Sequence, residues 1–504
     1  MIIMTIKNKN FKKYFLFIFV IFWTAGQVFS QNKLQDIYEF DLDNKFSSRL
    51  KKATTLSQEK DVDNGISLSL PDPFGNYTEY FFFRNEIMSA EMITKYPTIS
   101  TYTGYSPTQK HHFVNLVLHE DKIHVFILSN EKKGIMIDKT TTGKYQSYFG
   151  EKTDHYVCSN DPGHGRNLKP SGLRTSTNGA TLRTYDLAIV ITDEYEAANA
   201  SAITVALTTV SDMTAIYKRD LAVQFTTTVR PETATFNVVY PGAPSADYAA
   251  LVVSKYFAES EYDLGHVFHN AGGGGGGGVA FLEAVCSNVD VNVASGTQQK
   301  KGGAWSTGNP NNNYGFMSIV AHEIAHIFSA THTFNSNHSF NCNGSLSAST
   351  SYEPGTGSTL MAYPGVCFTH NLTNASGDTL YDSNPYFHVR SLEQMVSFIT
   401  GIGNSCASGS ASGNTPPTAN ATSCSAVTIP VNTPFQLTGN HTDDNNDNVT
   451  YCWEQYDSGP AYGAPNVNCG ASTGPIFRSY LPTTSPTRYF PSYTYIINNS
   501  NIPP

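Results

Sequence analysis

Along residues 31–183, short runs of alternating or continuous apolar residues are set between turn-rich connections. Phe113-Val114-Asn115-Leu116-Val117-Leu118 and Ile123-His124-Val125-Phe126-Ile127-Leu128 are two of them. Runs of this length and content predict β strands, and no convergent set of catalytic residue types accompanies them. From Thr184 the pattern changes. A strand-like run, Tyr185 to Ile191, leads into a helical stretch over about 193–217. A second strand at Leu221 to Phe225 and a second helical stretch over about 248–261 follow. Strand and helix alternation predicts an α/β layer. Seven consecutive glycines, Gly272 to Gly278, then precede the apolar run Val279 to Cys286. No Gly-Lys-Ser/Thr follows them, so they are not a phosphate loop; they read as a flexible lead-in to an edge strand. A further helix is expected from near Phe316 to near Ser329, then polar, irregular chain as far as Met361. A closing helix over Ser391 to Ile402 carries Leu392, Met395, Val396 and Ile399 on one face.

The ends of the chain add to this. Lys7, Lys9, Lys12 and Lys13 precede a largely apolar run from Tyr14 to Gly26, and a small residue, Ser30, stands before Gln31. This reads as a signal peptide over residues 1–30: the apolar run is too short to span about 30 Å of hydrocarbon as a helix. No later run is long and apolar enough for a transmembrane anchor, so a secreted or cell-surface protein is expected. Residues 31–183 would then stand as a propeptide between the export signal and the α/β region at 184–408; a permanent N-terminal binding domain is the competing reading. Residues 409–417, rich in Ser, Gly, Asn and Pro, form a linker. Beyond it, over 418–504, strand-like runs such as Phe435 to Thr438 and Val449 to Trp453 predict an all-β, immunoglobulin-like sandwich, complete or short of a final strand.

Composition narrows the function classes. The chain has 504 residues, 40% of them hydrophobic, enough for more than one cored domain. Its net charge is −9, without a basic cluster after the N-terminal lysines. It therefore carries no electrostatic footprint for nucleic acid. The eight cysteines favour disulfides in an exported protein. Eight allow 105 pairings, among which Cys342 with Cys367 would brace the loops before and after Met361.

The richest chemistry lies in His322-Glu323-Ile324-Ala325-His326-Ile327-Phe328-Ser329-Ala330-Thr331-His332. Residues four apart share one helical face, so the imidazoles of His322 and His326 can reach one small cation. Glu323 falls on the rim of that face, where it can act on a water without being a ligand. His332 lies six residues beyond His326, off the helical register, so the helix must end and the chain turn for it to become a third ligand. Zinc held by three histidines keeps a fourth position open and brings the pKa of a bound water to about 7. Against this stands an amphipathic helix with Ile324, Ile327 and Phe328 buried and the histidines as polar flankers.

These residues, with Gly357-Ser358-Thr359-Leu360-Met361-Ala362-Tyr363 downstream, resemble the metzincin zinc peptidases, whose signature is H-E-x-x-H-x-x-G-x-x-H followed by a methionine turn. Within them the chain looks most like the reprolysin-like peptidases secreted by bacteria. The likeness implies an α/β metzincin-like catalytic domain over 184–408. It makes His322, His326 and His332 the zinc ligands, Glu323 the general base and Met361 the methionine-turn residue, with Tyr363 a candidate transition-state stabiliser. It implies protein or peptide substrates, paired as an added strand with the strand after the glycines. Two departures stand out: Ser329 replaces the motif's glycine, where positive φ is convenient, and Ala325 stands where many relatives have glycine. A rival scheme takes Glu393 as third ligand.

Two further sites were weighed. A Cys158 thiolate could fill the open zinc position and hold the enzyme latent, against an ordinary disulfide or unpaired thiol. Asp443, Asp444 and Asp447 could bind calcium, against a solvated polar turn. The expected function is a secreted zinc endopeptidase made as a latent precursor. The alternative is an inactive binding or adhesion protein on the same scaffold.

Overall fold

The computed structural model describes residues 36–55, 65–85, 87–129, 134–150, 155–158, 178–232, 245–270, 275–293, 296–309, 311, 313–373, 379–381, 383–421, 428–430, 433–461 and 474–497. The signal-peptide reading falls on residues 1–30, outside that range.

The N-terminal part is one eight-stranded antiparallel sheet. Its strands are β1 (Ile37–Phe40), β2 (Ile66–Pro71), β3 (Tyr77–Arg84), β4 (Ile99–Tyr105), β5 (Phe113–His119), β6 (Lys122–Leu128), β7 (Ile135–Lys139) and β8 (Tyr145–Phe149). They run as a meander from β2 to β8, and β1 returns to pair with β8. Short helices α1 (Phe46–Leu50) and α2 (Ala90–Lys95) lie between strands. The apolar runs in β5 to β7 have a physical reason: both faces of the sheet are covered. Leu116, Leu118, Val125, Ile127, Ile135 and Ile137 point into the sheet's own core. The alternating Val117, Phe126, Leu128 and Met136 join the core of the following region.

That region holds α3 (Asp193–Ala198), α4 (Ala202–Leu221), α5 (Ala246–Tyr256), α6 (Asn313–Ile327), α7 (Phe340–Ser345) and α8 (Val389–Ile399). Its sheet contains β9 (His155–Cys158), β10 (Thr181–Ile191), β11 (Val223–Pro231), β12 (Leu264–His269), β13 (Gly275–Ala280), β16 (Ala304–Thr307) and β17 (Ser408–Ala411), with β14 (Asp290–Val293) and β15 (Gly296–Gln299) forming a separate hairpin. The order is β11-β10-β12-β16-β13-β9, and β17 pairs with the start of β10. Strands β11, β10, β12 and β16 are mutually parallel, whereas β13 is antiparallel to β16. The single helical stretch expected over 193–217 is two helices, because Asn199 leaves helical geometry after α3. Ser408–Ala411 belongs to the sheet, so the expected linker begins inside it.

Helix α4 lies between the two parts. On one side Tyr217 donates its hydroxyl to the Ala321 carbonyl of α6, at 2.8 Å. On the other side Asn115 donates to the Ser211 carbonyl, and His124 bridges Asp212 (2.9 Å) and Asp138 (2.7 Å). Burial works against the charged imidazole, but the two carboxylates outweigh it and raise the pKa of His124 well above the ordinary value.

Beyond residue 417 the described residues form one three-stranded antiparallel sheet, β18 (Thr418–Ala421), β19 (Phe435–Thr442) and β20 (Thr487–Phe490), followed by α9 (Tyr493–Ile497). The second sheet that a sandwich requires is not seen among them. Instead, the chain around 451–480 packs on the preceding region: Val389 N–H donates to Glu454 at 2.6 Å and Ser358 Oγ to the Ser479 carbonyl at 3.0 Å.

Candidate metal centre

Helix α6 is buried on every side. Phe316, Met317, Val320, Ala321, Ile324, Ala325 and Ile327 are all in the core, and His322, Glu323 and His326 are buried with them. It ends in a left-handed turn. Ala330 N–H bonds the Ala325 carbonyl at 2.9 Å, and Ser329 N–H the His326 carbonyl at 2.8 Å. This is the pairing of a Schellman cap. Ser329 sits at the position usually given to glycine, with φ of 86°. Serine thus makes the turn that the sequence requires, at a conformational cost of about 1 kcal/mol. Its Oγ donates to Glu283 at 3.2 Å.

The turn carries His332 back to the helix. The Nε2 atoms of His322, His326 and His332 lie 3.0, 3.1 and 3.2 Å from one another. Each Nδ1 faces a backbone carbonyl: Leu360 for His322 (2.7 Å), Ala330 for His326 (2.7 Å) and Ser345 for His332 (2.6 Å). A carbonyl only accepts, so each Nδ1 carries the hydrogen and each Nε2 presents its lone pair. Burial lowers the pKa of His326 to about 4 and holds that of His332 well below the ordinary value, which keeps these two rings neutral. Three Nε2 lone pairs converging at these separations are satisfied together by one shared cation. A tetrahedral centre with bonds of about 2.0–2.1 Å sets its nitrogens about 3.3 Å apart, close to the observed spacing. Carbonyl-anchored imidazoles are also the usual outer support of a zinc site. The residues present therefore fit zinc.

Glu323 lies beside this triad under β13. A Cβ at Gly278 would fall 2.5 Å from Glu323 Cγ and Oε1, and one at Gly276 would fall 2.8 Å from Ile319 Cδ1. Alternate strand positions, about 6.7 Å apart, thus ride over helix positions four apart, about 6 Å. The reading of the glycines as a flexible lead-in is corrected: Gly275–Gly278 are the strand itself, bare so that α6 can approach it. The free edge of β13 is taken by β9, which runs parallel to it and sets Cys158 opposite Gly278. The backbone of Cys158 is described, but its side chain lies outside the described residues.

Met361 is fully buried, and its carbonyl accepts from Thr333 N–H at 3.1 Å. The Tyr363 ring lies 4.7 Å from that of His332 and is stacked on Phe334 at 4.6 Å. Cys342 and Cys367 are bonded, as are Cys286 and Cys406. Glu393 is not part of the site, since it pairs with Arg390 and Tyr456. The calcium reading finds no support among the described residues. There the histidine triad is the one group arranged to hold a metal, and Asp443 accepts from Asp447 N–H at 2.7 Å to close a turn. Sequence reasoning missed the role of Gly276 and Gly278, and missed Glu353, which hydrogen-bonds chain on both sides of the centre.

A glycine strand over a helix that contributes two of three convergent imidazoles defines a metallopeptidase-like centre. Residues 181–392 match the model of the metallo-peptidase family M12B, reprolysin-like, and this segment is a reprolysin-like metzincin domain. No curated protein matches the chain. Among solved structures, one titled "Structure of a chaperone-substrate complex" aligns at 12% identity over 54% of this chain and 43% of its own, with a TM-score of 0.26. A likeness of that size carries no argument. No helix among the described residues is long and apolar enough to cross a membrane.

Proposed function

We propose that the protein is an exported zinc endopeptidase, made as a latent precursor, that hydrolyses protein or peptide substrates with Glu323 as general base. The observation that carries this reading is the convergence of three Nε2 atoms within 3.0–3.2 Å of one another, one residue along the helix from a buried carboxyl group that is not among them. A zinc ion held by His322, His326 and His332 supplies the Lewis acidity that polarises a carbonyl and makes water nucleophilic near neutral pH. Glu323 takes a proton from the water as its oxygen bonds to the carbonyl carbon, and then gives that proton to the amide nitrogen as the C–N bond breaks and the amine leaves. Tyr363, packed against His332, is the candidate for steadying the charge that develops on the carbonyl oxygen. Once β9 leaves it, the edge of β13 would offer backbone groups to an extended substrate.

Latency is supported by β9, whose pairing with β13 occupies the edge a substrate would use and ends at Cys158. In this reading residues 31–183 are the propeptide and the Cys158 thiolate is the candidate blocking ligand. Two bonded cysteine pairs favour export to an oxidising compartment.

The test compares the full chain with its Glu323→Ala variant, each cut at a protease site engineered within 159–177. Zinc content and hydrolysis of an unfolded protein are measured in both. Cleavage by the parent, with a loss of at least about 100-fold in the variant at equal zinc, is expected. Equal zinc with no cleavage by either would favour the inactive scaffold. Absence of zinc from both would overturn the metal centre.

A further inference from the structure

Two stretches of chain complete the centre beside α6. One begins at His332, the third imidazole. The other includes Leu360, whose carbonyl orients His322 at 2.7 Å. Between them stands Glu353, 1% exposed. Its backbone is strapped to the first stretch: Glu353 N–H donates to the Thr333 carbonyl at 2.8 Å, and Asn335 N–H to the Glu353 carbonyl at 3.1 Å. Its carboxyl group reaches both stretches. Oε1 accepts from Thr333 Oγ1 at 2.6 Å and from Thr359 Oγ1. Oε2 accepts from the backbone N–H groups of Ser358 and Thr359, at 2.7 and 3.2 Å.

The turn is shaped to reach this group. Gly357 has φ of 66°, and a Cβ on it would lie 2.6 Å from Ala362 Cβ and 3.0 Å from Glu353 Cβ. Only a carboxylate presents acceptors alone on both ends of such a short fork, and the glutamate stem is one methylene longer than that of aspartate. Without it the Ser358 and Thr359 N–H groups lose their acceptor in a buried place, which costs more than a hydrogen bond is worth when made.

We propose that Glu353 is a positioning residue for the metal centre, clamping the His332 segment to the methionine turn so that the third imidazole and the carbonyl that orients the first are held in register. Glu353 touches neither metal nor substrate and acts through Thr333, Ser358 and Thr359. This rests on the three histidines holding a divalent metal.

The test uses the full chain and its Glu353→Gln variant, with Glu393→Gln as a control carboxyl outside the site. Gln keeps the shape but turns an N–H2 donor toward donors. Zinc affinity by chelator competition, the visible spectrum of the cobalt-loaded protein and the melting temperature of the metal-free protein are measured. Glu353→Gln should bind zinc 10- to 100-fold more weakly, the range seen when outer-shell partners are lost, and shift the cobalt bands. Glu393→Gln should do neither. Parental affinity and an unchanged cobalt spectrum in Glu353→Gln would overturn the proposal, whatever happens to the melting temperature; so would an equal loss in the control. If Glu353→Gln does not fold, the Thr333→Val, Thr359→Val double variant removes both hydroxyls from Oε1. Weaker zinc binding by it supports the clamp and parental binding overturns it. A parent that binds neither zinc nor cobalt would overturn the metal centre itself, and the clamp with it.

Discussion

The two walls that meet at the three histidines are built in opposite ways. The upper wall, β13, works by leaving side chains out. Gly276 and Gly278 are bare where Ile319 and Glu323 press against the strand. The lower wall, from His332 to Tyr363, has little regular structure and works by putting side chains in. Glu353, Thr333 and Thr359 supply the bonds that a sheet or helix would otherwise supply, and the Cys342–Cys367 bond closes its loops. A wall made of backbone should be damaged by addition, and a wall made of side-chain bonds by removal.

The sharpest way to break this comparison is Gly278→Val. The added carbons collide with the Glu323 side chain, whose Cγ, Cδ and Oε1 are the atoms nearest a Cβ at Gly278. Hydrolysis should fall by about 100-fold or more, as misplacement of a catalytic group by about 1 Å does, with zinc content retained. Activity near that of the parent, measured at equal zinc, would mean that the edge has slack that the geometry denies.

Removal from the lower wall comes next. Cys342→Ser with Cys367→Ser opens a link across 25 residues of sequence and should cost about 2–4 kcal/mol, read from denaturant unfolding. Because α7 carries the Ser345 carbonyl that orients His332, zinc affinity should fall as well. A loss of stability without any change in zinc binding would separate the brace from the centre.

The smallest effect belongs to the hinge between the walls. Ser329→Gly relieves the left-handed strain but gives up the Glu283 hydrogen bond. Stability should rise by no more than about 1 kcal/mol, visible as a small increase in melting temperature. A clear decrease would show that the serine hydroxyl outweighs the strain.

The legibility of this protein follows the range of its interactions. His322, Glu323 and His326 could be read because a helix converts spacing into a shared face within four residues. His332 could be read because it broke that register, and the chain indeed turns at Ser329. The strands around residues 113–128 could be read from their apolar runs, but not what covers their second face. Ser211 and Asp212 of α4 are buried under β5 and β6, where they meet Asn115 and His124. The glycine run was misread as loose chain because its use depends on a helix some 40 residues later. Nothing local to Glu353 points to it, since its partners become neighbours only when the turn at Gly357 folds back.

By itself, then, the sequence determined the chemistry: three imidazoles and a carboxylate at spacings that a helix and one turn bring together. It also determined the general β and α/β character of the parts, because both rest on interactions between residues close along the chain. Tertiary structure alone decided that β9 lies along β13, that glycine makes room for Glu323, and that a buried glutamate ties Thr333 to Ser358 and Thr359. Those contacts join residues far apart in sequence, and only packing selects among the partners that each could have had.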